Sequence, residues 1–127
     1  AYASAAEMTT GTATDKAAAP DTIKNHLLVP ASVFSFTGVA SPVVTDVGGV
    51  LGAPAVAQTS TGVYTVTFAA NMAATTYAVL ATVEDATPRQ ISVSSKAAGS
   101  VVIRSANASD VVIDGDSYSV AIFGAVA

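Results

Sequence analysis

Tyr64-Thr65-Val66-Thr67-Phe68 places an aromatic or branched apolar side chain at every second position, with threonine between. The same period returns in Tyr77-Ala78-Val79-Leu80-Ala81-Thr82-Val83 and in Tyr118-Ser119-Val120-Ala121-Ile122. Successive side chains of a strand point to opposite faces, so each stretch predicts a strand that gathers apolar groups on one side.

Working outward, strands are predicted at Ser32–Phe36, Pro54–Gln58, Val63–Phe68, Thr75–Val83, Arg89–Ser95, Ser100–Arg104 and Tyr118–Phe123. Turn residues separate them at Ser60-Thr61-Gly62, Asp85-Ala86-Thr87-Pro88, Ala97-Ala98-Gly99 and Asp114-Gly115. Short strands at this spacing predict a mainly β chain, an antiparallel β-sandwich of jelly-roll-like build over residues 29–127. Gly38 to Gly52, with Gly48-Gly49 at its centre, breaks the alternation and reads as a long loop or a pair of edge strands.

Residues 1–28 differ from this pattern. They are rich in alanine and carry Glu7, Asp15, Lys16, Asp21, Lys24 and His26. Ser4 with Glu7 forms a capping-box pattern ahead of Met8, and Gly11 would end that short helix. A second short helix fits Pro20 to Leu27, because proline suits a first turn and Asp21 complements the helix dipole. So narrow an apolar stripe buries little alone, so Ile23, Leu27 and Leu28 are expected to act in oligomerisation, and the segment to serve assembly and linking.

Composition narrows the function. The apolar set reaches 51% and charged residues only 11%, with 4 Phe, 4 Tyr and no Trp. Small β-favouring side chains with little charge leave much uncharged surface, which favours self-association. The net charge of −4 comes from 9 acids against 5 bases, and no run of Lys or Arg offers a phosphate-binding patch, so nucleic acid is not an expected partner. The chain has no cysteine, hence no disulfide framework and no thiolate nucleophile. Prolines, glycines and hydroxyl residues interrupt every apolar run before it could cross a bilayer, so membrane insertion is not expected. Ala1-Tyr2-Ala3 opens without Met or a charged signal region, which predicts a fragment or processed product of a longer protein.

Catalytic patterns are weak. His26 is the one imidazole, at the end of the expected second helix, and no Gly-x-Ser-x-Gly elbow surrounds any serine. Glu84 and Asp85 would point to opposite faces of a strand, so they do not converge on one glycosidic bond. Asp114-Gly115 and the approach to Thr87-Pro88 read as turn chemistry. Asp110, Asp114 and Asp116 are spaced too loosely for a calcium loop, and no metal or other cofactor is expected. Asn107-Ala108-Ser109 matches a glycosylation acceptor too short to carry weight. Gly48, Gly49 and Gly52 do not make a phosphate loop.

Ala5-Ala6-Glu7, Gly11-Thr12, Thr14, Lys16-Ala17, Pro20 and Ile23 together resemble a recurrent motif of bacteriophage tail fibres that precedes a receptor-binding tip. Ala18-Ala19 stands where Val-Thr is often found, and the motif occurs once rather than in series. The resemblance covers about the first fifth of the chain; the rest is similar to fibre tips only in general strand pattern. It implies a non-enzymatic virion protein: a homotrimer with a short stalk and a β knob that contacts a host cell-surface glycan or outer-membrane protein, beside other virion proteins. It equally permits a capsid decoration or head-fibre protein. A glycan-degrading, tailspike-like enzyme would require trimer interfaces to assemble acids from different chains. Loop residues Asp85, Arg89, Asn107 and Asp110 are the expected receptor contacts, since they place polar groups on turn-rich segments.

Overall fold

The computed structural model of the chain describes residues 2–3, 17–18 and 30–127. Tyr2–Ala3 (β1) and Ala17–Ala18 (β2) pair in parallel. The expected helices at Ser4–Met8 and Pro20–Leu27 and the expected oligomerisation residues Ile23, Leu27 and Leu28 lie outside the described residues.

From residue 30 onward every element is a strand: β3 (Ser32–Thr37), β4 (Val44–Gly48), β5 (Ala55–Ser60), β6 (Val63–Thr67), β7 (Ala78–Glu84), β8 (Gln90–Ala97), β9 (Ser100–Ala106) and β10 (Ser117–Phe123). They form two antiparallel four-stranded sheets, ordered β4-β3-β10-β7 and β5-β6-β9-β8. The alternation read from the sequence produces this directly. Phe34 and Phe36 on β3, Tyr118, Val120 and Ile122 on β10, Tyr64 and Val66 on β6, and Val101 and Ile103 on β9 face inward and are fully buried. These four strands are the central ones of their sheets, and the register pairs Phe36 with Tyr118 and Tyr64 with Ile103. Each such side chain contributes about 1.5–3 kcal/mol when fully withdrawn from water. The edge strands supply the looser rim of the core: Val44, Val56, Val79, Ala81, Val83 and Ile91 are only half-buried.

Two sheets packed through these inner faces make a sandwich, as the strand spacing predicts. Three consecutive pairs, β3·β4, β5·β6 and β8·β9, are hairpins within one sheet, and the other four connections from β4 to β10 pass between the sheets. The short connections at Ser60–Val63 and Ala97–Ser100 physically allow no crossing, and Gly62 meets the first turn's need for a positive φ of 72°. The stretch without alternation contains one edge strand, β4. Its pairing with β3 is bulged between Val33 and Ser35, and Asp46 takes a φ of 52°, so no period-two signal survives there.

Chain direction gives the sandwich two distinct ends. Pro30 starts β3 at the end where Gly49, the β8–β9 hairpin and the close of the chain lie: Leu51 N–H donates to Ala31 O, Met72 N–H to Ala98 O, and Ala127 N–H to Asn71 O. At the opposite end lie the loops 38–43, 61–62, 85–89 and 107–116. Pro30 therefore lies at the end remote from those loops.

Strand β10 runs between β3 and β7 and carries Tyr118, Val120 and Ile122 into the core. Met72 bridges to Val126, and Ala73 N–H donates to Ala125 O, so the last residues are also held. Deleting Ile122–Ala127 is expected to leave the chain insoluble, checked by the soluble fraction after expression; soluble protein with native circular dichroism would show that the β10 terminus is peripheral.

Candidate functional site

The loop-bearing end is built from two buried phenols. The rings of Phe36, Tyr64 and Tyr118 meet across the two sheets, with Phe36 stacked on Tyr118 at 4.8 Å and tilted against Tyr64 at 5.1 Å. Tyr64 and Tyr118 lie 5.0 Å apart. Their hydroxyls emerge beneath the loops, where a buried phenol must find a polar partner.

Tyr118 OH accepts from Gly115 N–H at 2.7 Å. Ser105 Oγ donates its single proton to Ile113 O at 2.6 Å, so the 2.6 Å contact between the two hydroxyls is a donation from Tyr118 to Ser105. Tyr64 OH donates to Asp114 Oδ1 at 2.7 Å, and the same oxygen accepts Gly62 N–H at 2.6 Å and Gln58 Nε2 at 2.7 Å. Three donors on one carboxylate oxygen tie the β5–β6 turn to the β9–β10 loop with charge-assisted bonds. Burial, reinforced by the Asp114 bond, pushes the Tyr64 hydroxyl far above its ordinary range, which keeps it a donor. Glycine is required at Gly115, because a Cβ there would collide with Val83 Cγ2.

All four residues expected to contact a receptor lie at this end, in the loops 85–89 and 107–116, and the pairing of Gln90 with Ala106 sets the two loops side by side. They differ in what they do. Asp85 Oδ1 accepts Thr87 N–H at 2.8 Å, and Asp85 pairs with Arg89 at 3.3 Å. Both side chains are largely covered, at 10% and 12% exposure, and Arg89 Nε is buried with no hydrogen-bond partner among the described residues. Asn107 Oδ1 accepts the N–H groups of Ser109 and Val111 at 2.9 and 3.0 Å, shaping its own loop. Asp110, in the left-handed region at φ 61°, accepts from Arg104 at 3.1 Å and keeps 73% of its side chain in solvent. Asp110 alone of the four presents its charge outward.

The acids considered for catalysis or metal binding are employed separately. Glu84 Oε2 accepts Ser117 Oγ on the outer face of its sheet, while Asp85 turns into the loop. Asp114 points into the β5–β6 turn and Asp110 toward Arg104, and among the described residues no three His, Cys, Asp or Glu side chains group as metal ligands would. His26 lies outside the described residues. The reading of Asp114 as a solvated turn residue is corrected, since its carboxylate is the half-buried hub of the loop end. The available signal was the pair of tyrosines on inward strand positions, each of which needed a partner that Asp114 and Ser105 supply.

Apolar side chains share this end with Asp110. Val43 is 60% exposed, Val111 58% and Val39 48%, all on its loops. Comparison with known proteins finds no matching family model, curated protein or solved structure.

Asp114→Ala strips the acceptor from Gly62, Gln58 and Tyr64 and is expected to cost about 2–3 kcal/mol, against about 1 kcal/mol for Tyr64→Phe; urea unfolding would measure both, and equal losses would deny Asp114 its central place. The Thr87 N–H bond, ahead of the Arg89 charge, holds the Asp85 carboxyl below its ordinary 3.8. A depressed carboxyl stabilises the fold above its unfolded pKa and loses that contribution as pH falls through the lower folded value. The stability difference between the natural chain and Asp85→Asn is therefore expected to be full at pH 7 and to close below about pH 4, by urea unfolding across that range.

Proposed function

We propose that this chain is a virion structural and adhesive module, the tip of a bacteriophage tail fibre, which presents a rigid loop end to a bacterial surface. The observation that carries this reading is the polarity of the sandwich: the segment with the tail-fibre motif joins one end, and the charged and apolar loops occupy the other. A stalk-borne tip needs that separation of attachment from contact. In this reading residues 1–28 assemble three copies through Ile23, Leu27 and Leu28, and residues 29–127 form the contact domain.

The receptor surface is Asp110 with the exposed valines Val39, Val43 and Val111. Asp85, Arg89 and Asn107 act beneath it by fixing the loops. Exposed apolar groups around an outward charge suit a host glycan or an outer-membrane protein better than they suit bulk solvent. The polar groups of the loops are largely bonded, so binding uses a preset shape rather than a loop that folds on contact.

Adsorption of the labelled chain to a panel of bacterial cells and immobilised surface glycans tests the reading. Asp110→Ala combined with Val111→Asp is expected to lower adsorption at least tenfold, as loss of a two-residue hot spot does, with circular dichroism unchanged. Adsorption to no cell or glycan, with binding instead to phage capsids, would replace the tip reading by a decoration protein. Release of reducing sugar ends would replace it by an enzyme.

A further inference from the structure

Of the edge strands, three are blunted in the ways that sheet proteins use against edge pairing. β4 is short, bulged at Val33/Ser35 and distorted at Asp46. β5 follows Pro54 and is irregular between Gln58 and Ser60. β8 is irregular between Val93 and Ser95 and carries Lys96. β7 has none of these. Its seven residues pair with β10 in unbroken register from Ala78 to Glu84, with no proline, no lysine and a Leu80 that is 62% exposed.

The groups of β7 without a backbone partner among the described residues can be named. Glu84 O faces β10, where it accepts Asp116 N–H, whereas Tyr77 O faces away and accepts Lys96 Nζ at 2.8 Å. Backbone groups alternate along an antiparallel strand, so the N–H and C=O of Val79, Ala81 and Val83 also face away from β10. This set is symmetric about Ala81. Beside it an open cleft of 290 Å³, lined by Val79, Leu80, Ala81, Ile91, Ser92 and Val93, leaves the rim of the core uncovered among the described residues.

We infer that β7 pairs antiparallel with β7 of a second copy across a two-fold axis at Ala81. Ala81 then meets its own equivalent and Val79 meets Val83, so all three donors and all three acceptors on each strand are satisfied. An off-centre register would leave some unpaired. In this register Glu84 of each copy comes opposite Ala78 of the other, clear of its own equivalent, and the middle of the paired strands carries no charge. The two clefts come together on one side of the joined sheet. Antiparallel pairing points the two loop ends in opposite directions, so this contact joins modules of different assemblies and is independent of any contact among copies that share one stalk.

The full chain has no cysteine, which makes a single introduced thiol an unambiguous reporter. Equivalent Ala81 Cα atoms would lie about 5.5 Å apart, within disulfide range. Equivalent Glu84 positions, six residues out of register, would lie about 20 Å apart. Oxidised Ala81→Cys is expected to run as a two-chain band on a denaturing gel, and Glu84→Cys as one chain. Leu80→Lys, a surface change, is expected to halve the molar mass by light scattering with circular dichroism unchanged, whether the starting particle holds two chains or six. An unchanged mass for Leu80→Lys, or equal cross-linking at positions 81 and 84, would overturn the pairing. A mass of three chains that Leu80→Lys does not alter would overturn it while leaving the stalk-borne tip intact, and loss of cell adsorption would do the reverse.

Discussion

A phenol carried into an apolar core has to leave with its hydroxyl bonded, and this sandwich is organised around three that do. Tyr64 and Tyr118 sit on central strands of opposite sheets, and their rings fill the space where the sheets meet. An unmade bond at either hydroxyl would cost on the order of 1–3 kcal/mol, a large part of a small domain's stability. Asp114 and Ser105 meet that demand and in doing so fix the long β9–β10 loop to the β5–β6 turn. Tyr77 repeats the device at the other end, sharing its proton between the carbonyls of Ala97 and Ser100 and so bracing the β8–β9 hairpin. Core packing and loop position are thus one constraint.

The same constraint separates what could be read from the sequence from what could not. Strands with one inward face were legible because burial imposes a period of two on the residues themselves, and Tyr118-Val120-Ile122 shows it in three positions. Strand β4 was not, since its bulge and the left-handed Asp46 erase the period. The order of strands was not legible either. The alternation places a side chain in or out but says nothing about which neighbour a strand takes, so different strand orders share one pattern.

At the loop end the residue types show which segments turn but not what each side chain there touches. Asp85, Arg89, Asn107 and Asp110 are all in loops at one end, as turn-forming residue types require. Their roles depend on partners within a few residues and on the backbone geometry that brings them together, which residue type alone does not reveal. Asp85 is paired four residues away with Arg89, and Asn107 bonds the backbone of its own turn. Asp114 reads as an ordinary turn residue because its partners, Gln58, Gly62 and Tyr64, lie 56, 52 and 50 positions earlier in the chain and meet it only through folding.

Scarcity of charge then decides how the surface divides. Alanine, valine and threonine make flat strands with short side chains, which pack two sheets closely but leave outer faces with few groups able to recognise anything. Several of the charged side chains in the loops are consumed in holding them, as in Asp85 with Arg89 and Asp114 with its three donors. A loop end braced by Asp85 and Asp114 has little freedom left to lose on binding, so a partner that fits it meets a shape set before contact. The opposite consequence falls on β7, where the same lack of charge leaves an edge with no device against pairing. The proposed presentation at one end and the proposed pairing along one side would both follow from a single compositional economy.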